Sequence, residues 1–222
     1  MLRPSVAFSP KHALHQMTPD RVLNILQSHV PAPALAYCVD LWKASPFELK
    51  ITRARQTKVG DFTSRNTKAH PRITLNNDLN PYLFLMTYVH EVAHLRVYIT
   101  YGSRVDPHGV QWRTTFTDLM LPLLWEEIFP EQILHELRRH MINPKASSFA
   151  DTQLTESFRK FDKHPPVTLD QVPEGSIFKL QGRWFKKGKL RRTRVLCREL
   201  QSKRDYLVPV DAVVTDVQLS LL

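Results

Sequence analysis

The sequence predicts an α+β protein: a first part of helices with a few early strands, then a small, basic, β-rich second part. Three observations lead there. The stretch from Asn80 to about Tyr101 has no Gly or Pro after Pro81 and is apolar on nearly every side, as a buried helix is. Before it, Phe47, Leu49 and Ile51 alternate with polar residues at the period of a strand. Beyond residue 173 such alternation returns, with arginines on one parity.

Taken in order, TPDRVLNILQSHV is a helix with Thr18 as N-cap and Pro19 at its first position. FELKITRARQTKVGDFTSR reads as two strands joined near Lys58 to Gly60, and PRITLNND as a third with Ile73 and Leu75 on one face. The long helix follows, then the loop GSRVDPHG, then two helices in QWRTTFTDLM and PEQILHELRRHM. From Asn143 to Gly175 the pattern fades, leaving one short helix about Leu154 to Phe161. SIFKL, RWFKK, LRRTRVLCRE and DYLVPV are short strands of a small sheet or barrel. In LRRTRVLCRE, Thr193, Val195 and Cys197 share one parity and Arg192, Arg194 and Arg198 the other, which predicts a half-buried strand with an arginine-lined face. These breaks divide the chain into residues 1–142, a linker at 143–172, and a basic domain at 173–222.

With 222 residues, 42% of them hydrophobic and 23% charged, the composition is that of a soluble globular protein. Cys38 and Cys197 are too few for a disulfide framework or a four-cysteine zinc module, and they suit packing in a reducing compartment. The N-terminal residues lack the apolar core of a secretion signal, and no apolar run reaches the roughly 18 residues of a membrane span. The expected location is the cytoplasm, with no membrane partner. The net charge of +10 is uneven. Residues 179–204 hold eleven Lys or Arg and one acid, Glu199, while the remainder balances to zero. A field confined to one part of the chain predicts a polyanionic partner.

The motif VHEVAH, residues 89–94, places two histidines and a glutamate in the apolar helix. Four residues apart, His90 and His94 face within about 40° of each other, one turn apart, as two ligands of one metal must. Glu91 lies beside them, within reach of a water at the metal without being a ligand. Chance alone gives about 0.02 such motifs in a chain of this composition, so the pattern is informative. The competing reading is that all three are hydrogen-bonded core groups. HELRRH, residues 135–140, is a decoy: at a spacing of five, His135 and His140 diverge by about 140°, and the neighbouring arginines suit a solvated face. GRWFKKGK at 182–189 has the wrong following residue, Leu190, for a phosphate-binding loop. A catalytic zinc site takes three protein ligands and leaves one position open. The third ligand is expected at His108, in the turn Pro107–Gly109, with Asp106, Glu126 and Glu127 as alternatives.

HEVAHLRVYITYGSRVDPHGVQW resembles the SprT-like zinc metallopeptidases, whose pattern is HExxH, about a dozen residues, then HGxxW or HGxxF. Here thirteen residues separate His94 from His108, and Trp112 holds the aromatic position. The resemblance covers roughly residues 15–140. It implies a zincin-like domain, a small antiparallel-type sheet with an active-site helix, binding one catalytic Zn2+ through His90, His94 and His108 with Glu91 as general base. It further implies a protease, related to bacterial SprT and to the eukaryotic Spartan proteases that degrade proteins crosslinked to DNA. Tyr98, Tyr101 and Arg72 are candidates for oxyanion stabilisation, and the strand Arg72 to Leu75 for aligning an extended peptide. Many SprT-like proteins carry a zinc ribbon after the protease domain. With Cys197 alone in that region, no second zinc is expected here.

The basic strands supply the expected contacts to DNA or RNA: Arg183, Lys186, Lys187, Lys189, Arg191, Arg192, Arg194 and Arg198 to phosphates, with Trp184, Phe185 and Tyr206 nearby for stacking. Arg53, Arg55, Lys58, Arg65 and Lys68 extend the patch. The expectation is therefore a zinc endopeptidase acting on nucleic-acid-associated proteins. The alternatives are a nucleic-acid-binding or transcription-associated factor with a mainly structural metal site, and a peptidase whose tail binds a protein or RNA partner.

Overall fold

In the computed structural model, Thr18 caps helix α1 (Pro19–Leu26), its hydroxyl accepting the Arg21 N–H at 3.3 Å. The helix ends earlier than its apolar pattern suggests, in a turn that buries Val30. Residues 17–55, 58–64, 71–145, 151–163, 165 and 167–218 are described. They form two compact units, and the chain passes from one to the other between Phe161 and Asp162. Among the described residues no helix is long and apolar enough to cross a membrane.

In the first unit, α1 and α2 (Leu35–Ala44) precede strands β1 (Glu48–Thr52), β2 (Gly60–Thr63) and β3 (Arg72–Asn76). The two early strands do not pair with each other. β3 lies between them, parallel to β1 in the register Leu49↔Ile73 and antiparallel to β2 in the register Phe62↔Ile73. The sheet is therefore mixed, not of antiparallel type, and β3 has no free edge for a peptide. The physical reason lies in the strands themselves. β3 brings Ile73 and Leu75, both fully buried, whereas no residue of β2 is buried. Arg55, between β1 and β2, is turned onto β3, its guanidinium donating to Asn76 Oδ1 at 2.8 Å and Thr74 Oγ1 at 3.0 Å.

Helix α3 (Pro81–Tyr101) begins where the sequence places it. Asn80 accepts the N–H groups of Tyr82 and Leu83, Pro81 occupies the first turn, and Gly102 at φ 74° ends the helix. Buried residues occur all around α3, so it forms the middle of the core with α4 (Val110–Met120), α5 (Glu131–Met141) and α6 (Thr152–Arg159) about it. α6 does not belong to a linker. Leu154 and Phe158 enter the first core, and Asn80 Nδ2 donates to Phe158 O at 2.9 Å. A polar cluster adds a second tie, because Asp151, the cap of α6, joins the buried His140 at 3.2 Å and the exposed Arg139 at 2.9 Å. His140 is thus buried, contrary to the solvated face expected of HELRRH, while His135 is exposed. The pattern contained the signal: Ile133, Leu137, His140 and Met141 share one helical face.

The second unit is a five-stranded antiparallel sheet of order β7-β6-β5-β4-β8, made of β4 (Ile177–Leu180), β5 (Arg183–Arg191), β6 (Arg194–Glu199), β7 (Asp205–Pro209) and β8 (Thr215–Gln218). Its core holds Phe178, Phe185, Val195, Cys197, Val208 and Val214 with Leu169 and Val172, two residues assigned to the linker by sequence. LRRTRVLCRE is not one strand. It turns at Arg192–Thr193, where Arg192 takes φ 54°, and Arg191 pairs with Arg194 across the hairpin. Val195 and Cys197 lie within β6 alone, so their parity was legible, whereas the two-residue turn pairs Leu190 with Val195 and reverses parity across the hairpin.

Candidate metal centre and basic strands

One helical turn on α3 sets His90 and His94 side by side, and the turn before α4 brings His108 to them. Gly109 N–H donates to Asp106 O at 3.0 Å, and Asp106 Oδ1 accepts the His108 N–H at 3.2 Å. Asp106 therefore builds the turn rather than supplying the third ligand. The three Nε2 atoms form a near-equilateral triangle: His90 to His94 3.1 Å, His94 to His108 3.1 Å, and His108 to His90 3.4 Å. Three imidazole nitrogens cannot all satisfy one another, because each neutral ring has one donor and one acceptor. Their spacing matches the edge of a tetrahedron about zinc, where nitrogens at 2.0–2.1 Å from the ion stand roughly 3.3 Å apart. The site can bind a metal ion, and among the described residues no other group of three or more His, Cys, Asp or Glu converges in this way.

Trp112, fully buried, is the platform beneath this triangle. Its ring centroid lies 4.6 Å from His90, 5.4 Å from His94 and 4.8 Å from His108, and Phe116 stacks on it at 4.9 Å. The apolar setting holds the imidazoles neutral. Burial pulls His90 well below the ordinary histidine range, aided by His94, His108 and His140. Burial and then His108 bring His94 down to about 4, and burial lowers His108 as well. The neutral ring is the form that ligates metal.

Glu91 is 7% exposed and faces β2. A Cβ at Gly60 would stand 2.6 Å from its Oε1 and 2.6 Å from Thr87 Cγ2, so only glycine lets the strand approach this closely. The backbone of Phe62 lies near enough to the Glu91 carboxylate to favour its charged form. Burial first, and the neighbouring Asp61 second, push this carboxyl up to about 8, against the lowering pull of that backbone, Arg55 and Lys58. Asn76 N–H donates to Val59 O at 2.9 Å, and in an antiparallel ladder the bonding alternates. The backbone groups of Gly60 and Phe62 therefore point away from β3, towards the free edge of the sheet. Sequence reasoning placed Gly60 at the junction of two strands and gave neither it nor Phe62 a role at the site, whereas Gly60 is the first residue of β2. The approach of Gly60 to Glu91 comes from how β2 is paired and packed.

Of the oxyanion candidates, Arg72 is engaged with Glu48 at 2.7 Å. Tyr98, one turn beyond His94, packs on Phe62 with centroids 5.8 Å apart, and Tyr101 is exposed at the end of α3.

The basic strands divide into tied and untied cations. Lys187 turns inward, its ammonium donating to the carbonyls of Leu169 (2.6 Å), Val172 (2.5 Å) and Asp170 (3.4 Å). Arg183 pairs with Glu199 at 3.2 Å and lies over the rings of Phe185 and Tyr206, and Arg198 pairs with Asp205 at 2.8 Å. These three hold the fold. Lys186, Lys189, Arg191, Arg192 and Arg194 are exposed with no ion pair among the described residues, though Arg194 donates to Leu207 O at 3.4 Å, and all but Lys186 cluster about the β5–β6 turn. Phe185 is buried and unavailable for stacking, whereas Trp184 is half-buried beside Lys179. In the first unit, Arg55 is tied to β3 and Lys58 to Asp61 at 2.8 Å, while Arg65 and Lys68 lie outside the described residues.

Comparison with protein-family models, with curated proteins and with solved structures found no match to this chain.

Proposed function

We propose that the chain is a zinc-dependent endopeptidase of the SprT-like kind, acting on proteins associated with nucleic acid. The observation that carries this reading is the Nε2 triangle of His90, His94 and His108, with Glu91 next to it on the same helix. Structural zinc sites close with four protein ligands, whereas catalytic ones keep three and an open position. Among the described residues the cluster has three, which favours catalysis over a mainly structural metal. His90, His94 and His108 would hold a zinc ion, which would supply Lewis acidity to a water and to the scissile carbonyl. Glu91 takes a proton from the attacking water and returns it to the leaving amine. The free edge of β2, in place of β3, aligns an extended substrate by strand addition.

The untied cations at the β5–β6 turn support the second half of the reading, recruitment by DNA or RNA through phosphate contacts. The test is Glu91→Gln. The variant keeps stoichiometric zinc and loses proteolysis, including self-cleavage, assayed with and without DNA. Wild-type activity in this variant would sink the peptidase reading.

A further inference from the structure

We infer that Phe62 and Tyr98 form the wall that reads the substrate's side chain, so the site takes extended polypeptide segments with a large aromatic or aliphatic residue at a fixed step from the cleaved bond. The inference rests on the peptidase reading above. Its basis is the way β2 runs along α3. At about 100° per residue, Thr87, Glu91, His94 and Tyr98 fall within about 60° of one another, forming one stripe along the helix. Gly60 meets that stripe at Thr87 and Glu91, and Phe62 meets it at Tyr98 through its ring. The strand and the stripe thus run together past His94, and the Phe62–Tyr98 ring pair closes their far end.

Both rings remain accessible there. Tyr98 is 36% exposed and Phe62 half-buried, and Val110, two residues after His108, is exposed as well. A peptide added to the edge of β2 presents alternate side chains to each face of the sheet. Every second residue then points to the side where Gly60 and Phe62 point, towards α3. Gly60 leaves room beside Glu91, and the first surface that such a side chain meets beyond His94 is the ring pair. That surface is apolar, so it favours a large apolar side chain over a small or charged one.

The test uses the full-length, zinc-loaded protein on a reduced and carboxymethylated substrate protein, with cut sites mapped by mass spectrometry. Two peptides that differ only by Phe or Ala at the preferred step are assayed alongside. In the wild type the cuts keep a constant distance from large apolar residues. Tyr98→Ala lowers the Phe-to-Ala ratio of kcat/KM about tenfold, in line with the removal of apolar surface from a side-chain pocket, and Tyr98→Phe retains it. The same preference appears as a ratio of peptide Kd values in Glu91→Gln, and is lost in Glu91→Gln with Tyr98→Ala. Cleavage whose sites and ratio are unchanged by Tyr98→Ala overturns this inference alone. A zinc-loaded wild type that cleaves nothing overturns the peptidase reading with it.

Discussion

Gly60 and Glu91 are packed so closely that a methyl group on the first would stand 2.6 Å from the carboxylate of the second. Gly60→Ala therefore has to displace either β2 or the carboxylate. The expected result is a loss of proteolysis of more than about tenfold and a stability cost of about 1–3 kcal/mol, the usual range for overpacking. Zinc content is unchanged, since Gly60 touches none of the histidines. Activity assays beside metal analysis and urea denaturation check this.

A metal ion held by the histidine triangle would link its binding to folding of the first unit. An ion that binds only the folded state stabilises it by about 2.7 kcal/mol at a hundredfold excess over Kd. Calorimetry should show Tm rising with zinc and falling on chelation, and His108→Ala should abolish the shift. Trp112→Ala leaves the three ligands but removes their platform, with an expected 10–100-fold loss of zinc affinity, the scale seen when groups that orient ligands are removed.

Lys187 and its neighbours on β5 make opposite predictions. Removing Lys186, Lys189, Arg191 or Arg192 should reduce the salt dependence of DNA binding by about 0.9 in log–log slope for each phosphate that is no longer neutralised, with stability unchanged. Lys187→Ala should leave that slope alone and destabilise the second unit by about 1.5–3 kcal/mol, because the carbonyls of Leu169, Asp170 and Val172 lose a charged donor. Titrations at several salt concentrations separate the two groups.

Acid should weaken the first unit through His140. Burial holds this imidazole below the ordinary histidine range despite the hydrogen bond to Asp151, with Lys145 and Arg139 also adding positive charge around it. Burial disfavours the charged Asp151, but hydrogen bonds from His140 and Leu154 and the charge of Arg139 outweigh it and keep its pKa low. In both cases the unfolded chain binds the proton more readily. The stability they contribute is present at neutral pH and falls as pH drops below about 6.5 for the histidine and about 3.9 for the carboxyl. The urea midpoint should fall between pH 7 and pH 5, and His140→Leu should flatten that decline.

The ligands of the candidate centre were legible because helical geometry is local: a spacing of four fixes the relation of His90 to His94, and Pro107 with Gly109 marks the turn at His108. What surrounds them was not, because it depends on strand order. Nothing in ELKIT, GDFT and RITLN says that the third strand sits between the first two. That placement decides which edge is free, why residue 60 is glycine, and what Phe62 touches. The stretch before the second unit is not a linker for a related reason. Leu154 and Phe158 are sparse apolar positions in a polar stretch, and only the surfaces of α3 and α5 show where they belong. Charge alone locates the cations, but it does not reveal that Lys187, Arg183 and Arg198 are already engaged within their own sheet.

The turn that delivers His108 has a mechanical consequence. With thirteen residues between His94 and His108, an ion shared by both closes a loop across the end of α3 and the start of α4. It acts as a reversible cross-link, removing chain entropy from the open state much as a covalent bridge of that span would. Occupancy of the centre then sets how often the segment Tyr101–Asp106 opens, and the rate at which trypsin nicks it at Arg104 becomes a gauge of bound metal.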